Sequence, residues 1–543
     1  MKTDNSSVAD LFNNDLFYEI PEFQRPFSWE KDQFEDLIDD LVGADPTKEY
    51  FLGTIVYYKD IGVRMVVDGQ QRLTSLMILL ACLRDRIADD KTKSDLQNLI
   101  IQPEDKVRDI SERDRLIVRD HDMFHKMIAV PEGTKVGFDS RDFDEPSSRY
   151  IVARDVFAER LDKLDQPTLT KLMKFVSNKC LMIYLEADTF EEAFKLFEIV
   201  NDRGKQLRRI DLLKSYNLHP EVVPNKVNRK QLAQQWDQDE ASLGERKFEA
   251  LFNILRLIYT KSKPAEDLFS EFRKRIFDAG KLSRGADFFT TLSDYVSLYA
   301  AIFDDRDFLV GNPLERHFRA LLSIMDSEFF TFEWRACVLS FAKKYGREGI
   351  YQFCLAIEKL VLFHAIEGVR KDERYSDFTA ILAMIEKSKK PEEAIEGIKV
   401  DVAKIEHRLA TEDVYKRPYE KYVLLRLELA AAELATIREF TAKTTEHVFP
   451  QTPIPGGDWD KAATEEERKK FVNKLGNLVL LSQGKNSSAS NREFVEKKTT
   501  YLGPRVSDFP RSNQVVGYVE WTPDIIKQRS EEGAKLILQN PAS

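Results

Sequence analysis

The spacing of apolar and polar positions divides the chain into a mixed N-terminal part and a helical remainder. Three runs rich in aromatic and β-branched residues, FYEI, YFLGTIVYY and RMVV, fall within residues 16 to 80 and predict strands. Between them, SWEKDQFEDLIDDLVG has the periodicity of an amphipathic helix, with Ser28 as its expected N-cap and Trp29 on its apolar face. Further on, LMIYLE at 181 to 186 predicts another strand, and TFEEAFKLFEIV predicts a helix.

Helical periodicity dominates the rest of the sequence. Residues 88 to 150 are charged and helical apart from one loop, and after residue 230 strand-like runs almost disappear. At 543 residues the chain is too long for a single core. We therefore predict a predominantly helical α+β protein with three parts, residues 1–230, 231–405 and 406–543.

One polar insertion interrupts the pattern between two elements that should both be buried. Asp68, Gly69, Gln70, Gln71 and Arg72 separate the strand MVV from the apolar helical run LTSLMILLACL. A strand that passes through a glycine turn into a helix N-terminus presents backbone N–H groups and the helix dipole to an anion. Arg72 adds a forked donor suited to phosphate, and Asp68 could bind a metal ion or a sugar hydroxyl. The insertion predicts a nucleotide-phosphate site; the alternative is a hydrogen-bonded structural turn.

A second Gln-Arg pair, Gln24 and Arg25, precedes Pro26, which should hold the pair extended. Charge adds little to this interpretation, since the net charge of −10 argues weakly against a protein that coats nucleic acid. One basic run is interpreted as a solvated helix face; it comprises Arg203, Lys205, Arg208, Arg209 and Lys214.

The other group of candidate residues lies near the C-terminus, in EHVFPQTP and KLGNLVLLSQGKNSSASNREFVEKK. Phosphodiester cleavage needs a base to deprotonate water and a hard cation to neutralise the developing charge. His447 suits the base because its ordinary pKa lies near neutral pH. Glu446 and Asn486 offer the oxygen ligands that Mg²⁺ (or Mn²⁺) prefers. Asn477 is expected to tie the loop together and to orient the His447 ring, through a hydrogen bond to the ring or to its neighbouring backbone.

Four N-terminal segments, FQRPFSW, YFLGTIVYY, VVDGQQRLTSL and FEIVNDRGKQLRRIDLLKSYNL, together resemble the N-terminal domain of the GmrSD-type modification-dependent restriction endonucleases (BrxU/SspE-like), a relative of ParB and sulfiredoxin folds. The resemblance covers roughly residues 8 to 220. It implies a domain that binds and hydrolyses a nucleoside triphosphate (GTP, CTP, UTP or ATP) and helps to sense modified DNA. Asn201, Asp202 and Arg203 join the expected nucleotide site, as do Gln24 and Arg25. Gly69 to Arg72 stand at ParB's Gly-Glu-Arg-Arg box without its glutamate, so ParB's nucleotide choice is not transferred.

The C-terminal segment, from about residue 410, is similar to the GmrSD nuclease domain. Its motif matches the HNH (ββα-metal) arrangement, with Asn486 at the third position in place of His. The resemblance implies His447, Asn477 and Asn486 as catalytic residues and Glu446 and Asn486 as metal ligands. Asn491 and Lys498 follow the family's Asn-x-x-Phe ending and are expected at the DNA.

Other features indicate the kind of protein by exclusion. The four cysteines are far apart in apolar contexts, which predicts reduced core residues and neither disulfides nor a CxxC zinc site. No apolar run is long enough to span a membrane, and the start resembles no signal peptide, so a cytoplasmic location is expected. His121 and His125 are four residues apart, a spacing too common to indicate a metal site by itself.

We therefore expect an NTP-dependent, modification-sensing DNA endonuclease that defends a cell against phage, acting on phage or phosphorothioated DNA, with a homodimer possible. Two alternatives remain open at this point. One is a ParB-like nucleotide-switched DNA clamp with an inactive nuclease fold. The other is a toxin nuclease directed at RNA, which the sequence does not separate from a DNA nuclease.

Overall fold

The structure is a computed structural model that describes the chain apart from residues 1, 14–15, 22–23, 25, 61, 108, 120, 139–144, 191, 194, 197–207, 433–443, 482–490, 501–508 and 542–543. The chain divides into two compact units, Met1–Ala233 and Gln234–Ser543, here called the N-terminal and C-terminal units. The expected division near residue 405 falls inside the second unit, and the three functional parts stay a prediction.

Strands lie almost entirely in the N-terminal unit. They are β1 (Lys2–Ser7), β2 (Tyr18–Glu19), β3 (Tyr50–Asp60), β4 (Val63–Asp68), β5 (Ile101–Gln102), β6 (Arg113–Asp114), β7 (Leu116–Ile117) and β8 (Cys180–Ala187). Six of them form one mixed sheet in the order β1-β8-β3-β4-β2-β7, and β5 pairs separately with β6. Strand β3 pairs antiparallel with β4 and parallel with β8, so it lies at the centre of the sheet.

The helices of the N-terminal unit cover this sheet. They are α1 (Val8–Leu11), α2 (Lys31–Gly43), α3 (Gln70–Arg86), α4 (Asp90–Ile100), α5 (His121–Phe124), α6 (Glu145–Leu161), α7 (Gln166–Asn178), α8 (Arg209–Leu218) and α9 (Lys226–Leu243), which extends past the boundary. Helix α3 is buried on every side from Leu73 to Asp85. That burial explains the apolar run from Leu76 to Leu83, because a helix enclosed by its neighbours needs no polar face, and the buried Arg84 and Asp85 that follow are paired with each other.

Two expectations for this unit are wrong in detail. Helix α2 is capped by Glu30, which forms a capping box with Gln33, and it does not begin at Ser28. The backbone N–H groups of Ser28 and Trp29 instead donate to the Gln71 side chain, so both residues are held outside the helix. The charged stretch after residue 88 also contains the short strands β5 to β7, where helix alone was expected.

The C-terminal unit is built mainly from helices, as predicted. After α9 come α10 (Glu245–Thr260), α11 (Leu268–Glu271), α12 (Ala286–Tyr299), α13 (Glu315–Glu328), α14 (Glu333–Tyr345), α15 (Ile350–Glu367), α16 (Lys371–Lys387), α17 (Pro391–Glu396), α18 (Val402–Thr411), α19 (Glu420–Ala431), α20 (Asp458–Ala462), α21 (Glu465–Phe471), α22 (Phe494–Thr500), α23 (Pro510–Asn513) and α24 (Pro523–Leu538). Between residues 234 and 432, all of them described, there is no strand.

One antiparallel pair of strands interrupts this helical unit. Strand β9 (Thr444–His447) pairs with β10 (Leu478–Leu481), and His447 lies opposite Leu478. Val448 and Phe449, directly after β9, enter a small core with Trp459 and Trp521. The order of two strands followed by α22 agrees with the predicted ββα arrangement, while assignment to the HNH fold stays a prediction.

All four cysteines are buried and free, which confirms the expectation of reduced core residues. Among the helices that the structure describes, none is long and apolar enough to cross a membrane.

Candidate functional site

The polar insertion of the N-terminal unit forms the predicted strand, glycine turn and helix. Strand β4 ends at Asp68, Gly69 is the N-cap in the left-handed conformation (φ 88°), and α3 begins at Gln70. A Cβ atom on Gly69 would lie 2.6 Å from the Ile55 side chain and 3.0 Å from the Thr54 carbonyl oxygen. Glycine is therefore required both by the backbone angle and by the close approach of β3.

The N-terminus of α3 has the character of an anion site. Among the described residues no side chain caps it, and no acidic residue stands in its first turn. Its first N–H groups have no partner within the helix, and the dipole of a 17-residue helix favours a negative charge there. The geometry therefore fits the predicted phosphate site.

Arg72 lies in this first turn with an exposed side chain. Its guanidinium packs over Gly53, where a Cβ atom would lie only 2.7 Å from Arg72 Nη1. Within the described part of the chain, the guanidinium has no hydrogen-bond partner. Gly53 thus leaves space for an arginine fork that a bound phosphate could engage.

Two of the three predicted glutamines, Gln24 and Gln71, form hydrogen bonds within the protein. Gln24 is buried, and its Nε2 donates to the carbonyl oxygens of Val67 (2.8 Å) and Val66 (3.3 Å). Gln71 Oε1 accepts the N–H groups of Ser28 (3.0 Å) and Trp29 (3.2 Å). Both side chains therefore fasten the FQRPFSW segment to β4 and to the start of α3. These two glutamines have the structural role that the alternative predicts, and they lie beside the predicted phosphate site.

Asp68 completes the described part of this cluster. Burial raises the pKa of its carboxyl group, while the Gly69 backbone and the Arg72 charge oppose that rise. The structure thus brings together Gln24, Asp68, Gly69, Gln71 and Arg72, with Gln70 on the same turn. Four other residues expected here lie outside the described residues, namely Arg25, Asn201, Asp202 and Arg203.

The C-terminal cluster is organised by Asn477, which is fully buried directly before β10. Its Oδ1 accepts the Phe449 N–H (2.8 Å) and the Trp521 indole N–H (3.0 Å). Its Nδ2 donates to the carbonyl oxygens of Val472 (2.7 Å) and Phe449 (3.0 Å). The side chain thus ties the segment after His447 to β10 through Phe449, but it does not itself contact the His447 ring.

His447 is the last residue of β9 and only 8% exposed. Burial lowers the pKa of its imidazole to about 4, and the ammonium groups of Lys497 and Lys416 act in the same direction. A hydrogen bond to Asn473 opposes this shift. The ring is therefore neutral at neutral pH, the form in which a histidine can accept a proton.

Asn473 determines which ring nitrogen can be the base. His447 Nε2 lies 3.2 Å from Asn473 Oδ1, and Gln451 Nε2 donates to the same oxygen at 3.1 Å. Because that oxygen accepts hydrogen bonds, His447 Nε2 carries the ring proton and Nδ1 keeps its lone pair. The Tyr415 ring packs edge-on against the imidazole, with 4.3 Å between ring centroids, and fixes its plane.

Glu446 faces away from His447, because neighbouring residues of a strand point to opposite sides. Its Oε1 accepts a hydrogen bond from Lys497 Nζ at 2.8 Å, in a pair with almost no solvent exposure. The same ammonium donates to the carbonyl oxygens of His447 (2.8 Å) and Val448 (3.1 Å). Burial lowers the pKa of Lys497, and the Glu446 carboxylate opposes that change.

This arrangement bears on the expected magnesium site. Mg²⁺ demands several oxygen ligands at one point. Of the two predicted ligands, Glu446 already pairs with an ammonium, and Asn486 lies outside the described residues. The described residues therefore do not assemble an oxygen set that fits the ion.

Two contributors to this cluster escaped sequence reasoning. Asn473 lies four residues before Asn477, and an asparagine at that spacing was the available signal. The sequence does not indicate the pair of Lys497 with Glu446, because the two residues are 51 positions apart. The neighbouring Lys498, expected at the DNA, donates to the Tyr518 carbonyl oxygen at 2.5 Å, and Asn491 is half-buried.

Two family models match the chain. The N-terminal domain of the GmrSD restriction endonuclease matches residues 8–218, which contain the β4–α3 turn. The C-terminal domain of GmrSD restriction endonucleases matches residues 399–536, which contain His447 and Asn477. No curated protein matches the chain.

Proposed function

We propose, because the chain belongs to the GmrSD restriction endonuclease family, that it cleaves DNA beside His447 under the control of a nucleotide bound at the β4–α3 turn. Family membership by itself supports a restriction endonuclease that acts on DNA. The observation that carries the proposed nuclease base is the buried, neutral His447, whose Nε2 faces the Asn473 amide oxygen, so that the ring proton is on Nε2 and not on Nδ1.

In this proposal His447 Nδ1 takes a proton from the water that attacks the phosphodiester. General-base catalysis contributes about a hundredfold to ten-thousandfold in rate when base and water are held in place. Asn473 and Tyr415 hold the ring. Asn477 and Lys497 act as positioning residues, because both hold the backbone that follows His447.

The metal requirement is a separate part of the proposal. A hard divalent cation, Mg²⁺ or Mn²⁺, would supply charge neutralisation at the phosphate. Because the Glu446 carboxylate is paired with Lys497, the described residues do not include a free set of oxygen ligands for such an ion. Cleavage with and without EDTA, followed by added Mg²⁺, measures the requirement directly.

The β4–α3 turn is proposed to bind and hydrolyse a nucleoside triphosphate. The uncapped N–H groups of α3 and the exposed Arg72 guanidinium support phosphate binding there. GTP, CTP, UTP and ATP remain candidates, because the described contacts involve no base. The N-terminal unit is also proposed to sense modified DNA, by the family's precedent.

Nucleotide and DNA sites are proposed to be coupled, since an unrestrained nuclease would damage the host's own DNA. Coupling of binding sites is reciprocal and typically amounts to about 1 to 3 kcal/mol. A bound nucleotide should therefore change the affinity of the protein for modified DNA by some factor. Bound modified DNA should change the affinity for the nucleotide by the same factor.

The test is a cleavage assay on glucosylated phage DNA, phosphorothioated DNA, unmodified DNA and RNA, each with and without the four nucleotides. Cleavage of one modified DNA, stimulated by one nucleotide, supports the proposal. Cleavage confined to RNA would replace it with the RNA-directed toxin. Equal cleavage of modified and unmodified DNA would remove the sensing function.

A second candidate function, a nucleotide-switched DNA clamp with an inactive nuclease, is favoured by one observation. The Glu446 carboxylate is neutralised by Lys497, and a carboxylate in that pair is a poor metal ligand. Plasmid nicking in Mg²⁺ distinguishes the two. An intact plasmid under every nucleotide, with nucleotide-dependent DNA binding retained, identifies the clamp.

A further inference from the structure

Three ligand-type side chains meet in the N-terminal unit, away from the β4–α3 turn. In the described part of the chain, one group of three His, Cys, Asp or Glu residues has its ligand atoms within 4.8 Å of one another, and it consists of Asp114, His121 and His125. Asp114 Oδ2 lies 2.7 Å from His121 Nε2 and 2.7 Å from His125 Nδ1. Two imidazole nitrogens therefore converge on one carboxylate oxygen.

Local structure explains this convergence. His121 opens α5, and His125 opens the π-helical turn His125–Ala129 that continues it, so both rings lie on one face. Asp114 ends β6, which pairs with β5. The cluster thus connects a short strand pair to a helix of the unit, and π-helical turns are frequent at functional sites.

Two buried atoms of the cluster lack partners. Asp114 Oδ1 and His121 Nδ1 are both buried without a hydrogen bond, in the described part of the unit. The Asp114 side chain is only 11% exposed, and its pKa is lowered by hydrogen bonds to both histidines against the effect of burial. A buried carboxylate oxygen without a donor is costly, and a cation would satisfy it.

We propose that Asp114, His121 and His125 bind a divalent transition-metal ion of the zinc class. Two imidazoles and a carboxylate suit Zn²⁺, Co²⁺ or Ni²⁺, whereas Mg²⁺ and Ca²⁺ prefer oxygen ligands. The present 2.7 Å separations are hydrogen-bond distances, and ligands about 2.0 to 2.2 Å from zinc lie farther apart. Metal binding therefore moves these ligand atoms apart by roughly 0.5 to 1 Å.

The two arginines that flank Asp114 in the sequence have other partners within the unit. Arg113 packs its guanidinium over the Phe17 ring at 4.1 Å, and Arg115 Nε donates to the Asn98 carbonyl oxygen. His121 also lines a cavity of about 520 Å³, which has room for the water ligands of a metal ion bound to this side chain.

The alternative to a metal site is a triad held together by hydrogen bonds alone, in which two imidazole N–H groups donate to Asp114. The hydrogen-bonded triad leaves Asp114 Oδ1 without a donor, as observed, and predicts no affinity for metal ions. The proposed metal site predicts one bound ion per chain. The two are separated by titration of the whole protein.

The experiment uses the full chain stripped with a chelator and then titrated with ZnCl₂ in a calorimeter, or with CoCl₂ followed by visible d–d absorption. We expect one equivalent bound. Loss of even an outer-shell partner typically weakens metal binding about ten- to a hundredfold, so His121→Ala and His125→Ala should each weaken it by at least about a hundredfold.

Two control variants keep the result specific. His407→Ala removes an exposed histidine of α18 outside the cluster and should bind zinc like the wild type. His447→Ala removes the proposed nuclease base and should also bind normally, so this test succeeds or fails independently of DNA cleavage. If His121→Ala does not fold, the wild-type titration decides: absence of cobalt absorption or zinc binding overturns the proposal, as does unchanged binding in a folded His121→Ala protein.

Discussion

The β4–α3 turn and the β9–β10 pair both carry polar residues at the end of a buried strand, yet they use them differently. At the first, Gln24 and Gln71 hold a neighbouring segment through hydrogen bonds, while the Arg72 side chain is exposed and no described side chain caps the helix N-terminus. At the second, His447 and Asn477 are both buried, and Asn477 is bonded through both its oxygen and its nitrogen.

The difference matches two kinds of chemistry. A phosphate site needs exposed donors, because the ligand arrives from solvent and brings its own charge. A general base must be neutral and held in one orientation before substrate arrives, which burial and fixed partners provide. Exposure at one site and enclosure at the other therefore agree with the two proposed roles, and each can be tested by substitution.

The largest expected effect follows the loss of the proposed base. His447→Ala should lower DNA cleavage by about a hundredfold to ten-thousandfold, because no other group would accept the proton. Plasmid nicking under single-turnover conditions measures it. His407→Ala, in which an exposed histidine of the same unit is lost, should cleave at the wild-type rate. Normal nicking by His447→Ala would remove His447 from the mechanism.

The second-largest expected effect is a loss of stability, and it tests the buried hydrogen bonds of the β9–β10 site. Asn477→Ala leaves four buried backbone or indole groups without partners. Each costs about 1 to 3 kcal/mol, so the free energy of unfolding should fall by at least about 4 kcal/mol. Urea unfolding followed by tryptophan fluorescence measures this. Asn253→Ala, exposed on α10, is the control and should change little; a similar small loss for Asn477→Ala would contradict the account.

Arg72→Ala tests the exposed site. Loss of a charge-assisted contact worth about 1.5 to 3 kcal/mol should weaken nucleotide binding about ten- to a hundredfold, with folding little affected. Calorimetry measures the dissociation constant. Lys91→Ala removes an exposed cation elsewhere in the unit and should leave it unchanged. If Arg72→Ala binds nucleotide as the wild type does, the turn is structural.

The smallest expected effect is a shift in pH dependence. His447 must be neutral to act, so cleavage falls as pH drops through its pKa, which burial places at about 4. Asn473→Asp puts a carboxylate beside Nε2 and favours the imidazolium. An opposite charge at this range raises a histidine pKa by about one unit or more, so the acidic limb of kcat/KM should move to higher pH. Lys416→Ala should move it the same way, but less. If the acidic limb of kcat/KM does not move in the Asn473→Asp protein, a group other than His447 titrates at that limb.

Much of the fold followed from local patterns. The strand, glycine turn and helix around Gly69 were predicted because an apolar run, a polar break and a second apolar run each have one local interpretation. The helical character after residue 230 was confirmed for the same reason. The Ser28 cap was wrong because its N–H is taken by Gln71, a partner 43 positions away.

The candidate sites were less predictable, since tertiary contacts determine them. Nothing near Glu446 in the sequence indicates that Lys497 will neutralise it. Likewise, the spacing of His121 and His125 carried no weight until Asp114 was found between them in space. Sequence located residues able to do chemistry, whereas burial and partners determine which of them are available for it.

The most direct test assays His447→Ala and Arg72→Ala side by side for DNA cleavage and for nucleoside triphosphate hydrolysis, each on a single preparation. The account predicts that His447→Ala loses cleavage and keeps hydrolysis, and that Arg72→Ala loses hydrolysis at nucleotide concentrations that saturate the wild type. Loss of hydrolysis in His447→Ala, or cleavage by His447→Ala at the wild-type rate, would contradict the assignment of the two reactions to these two sites.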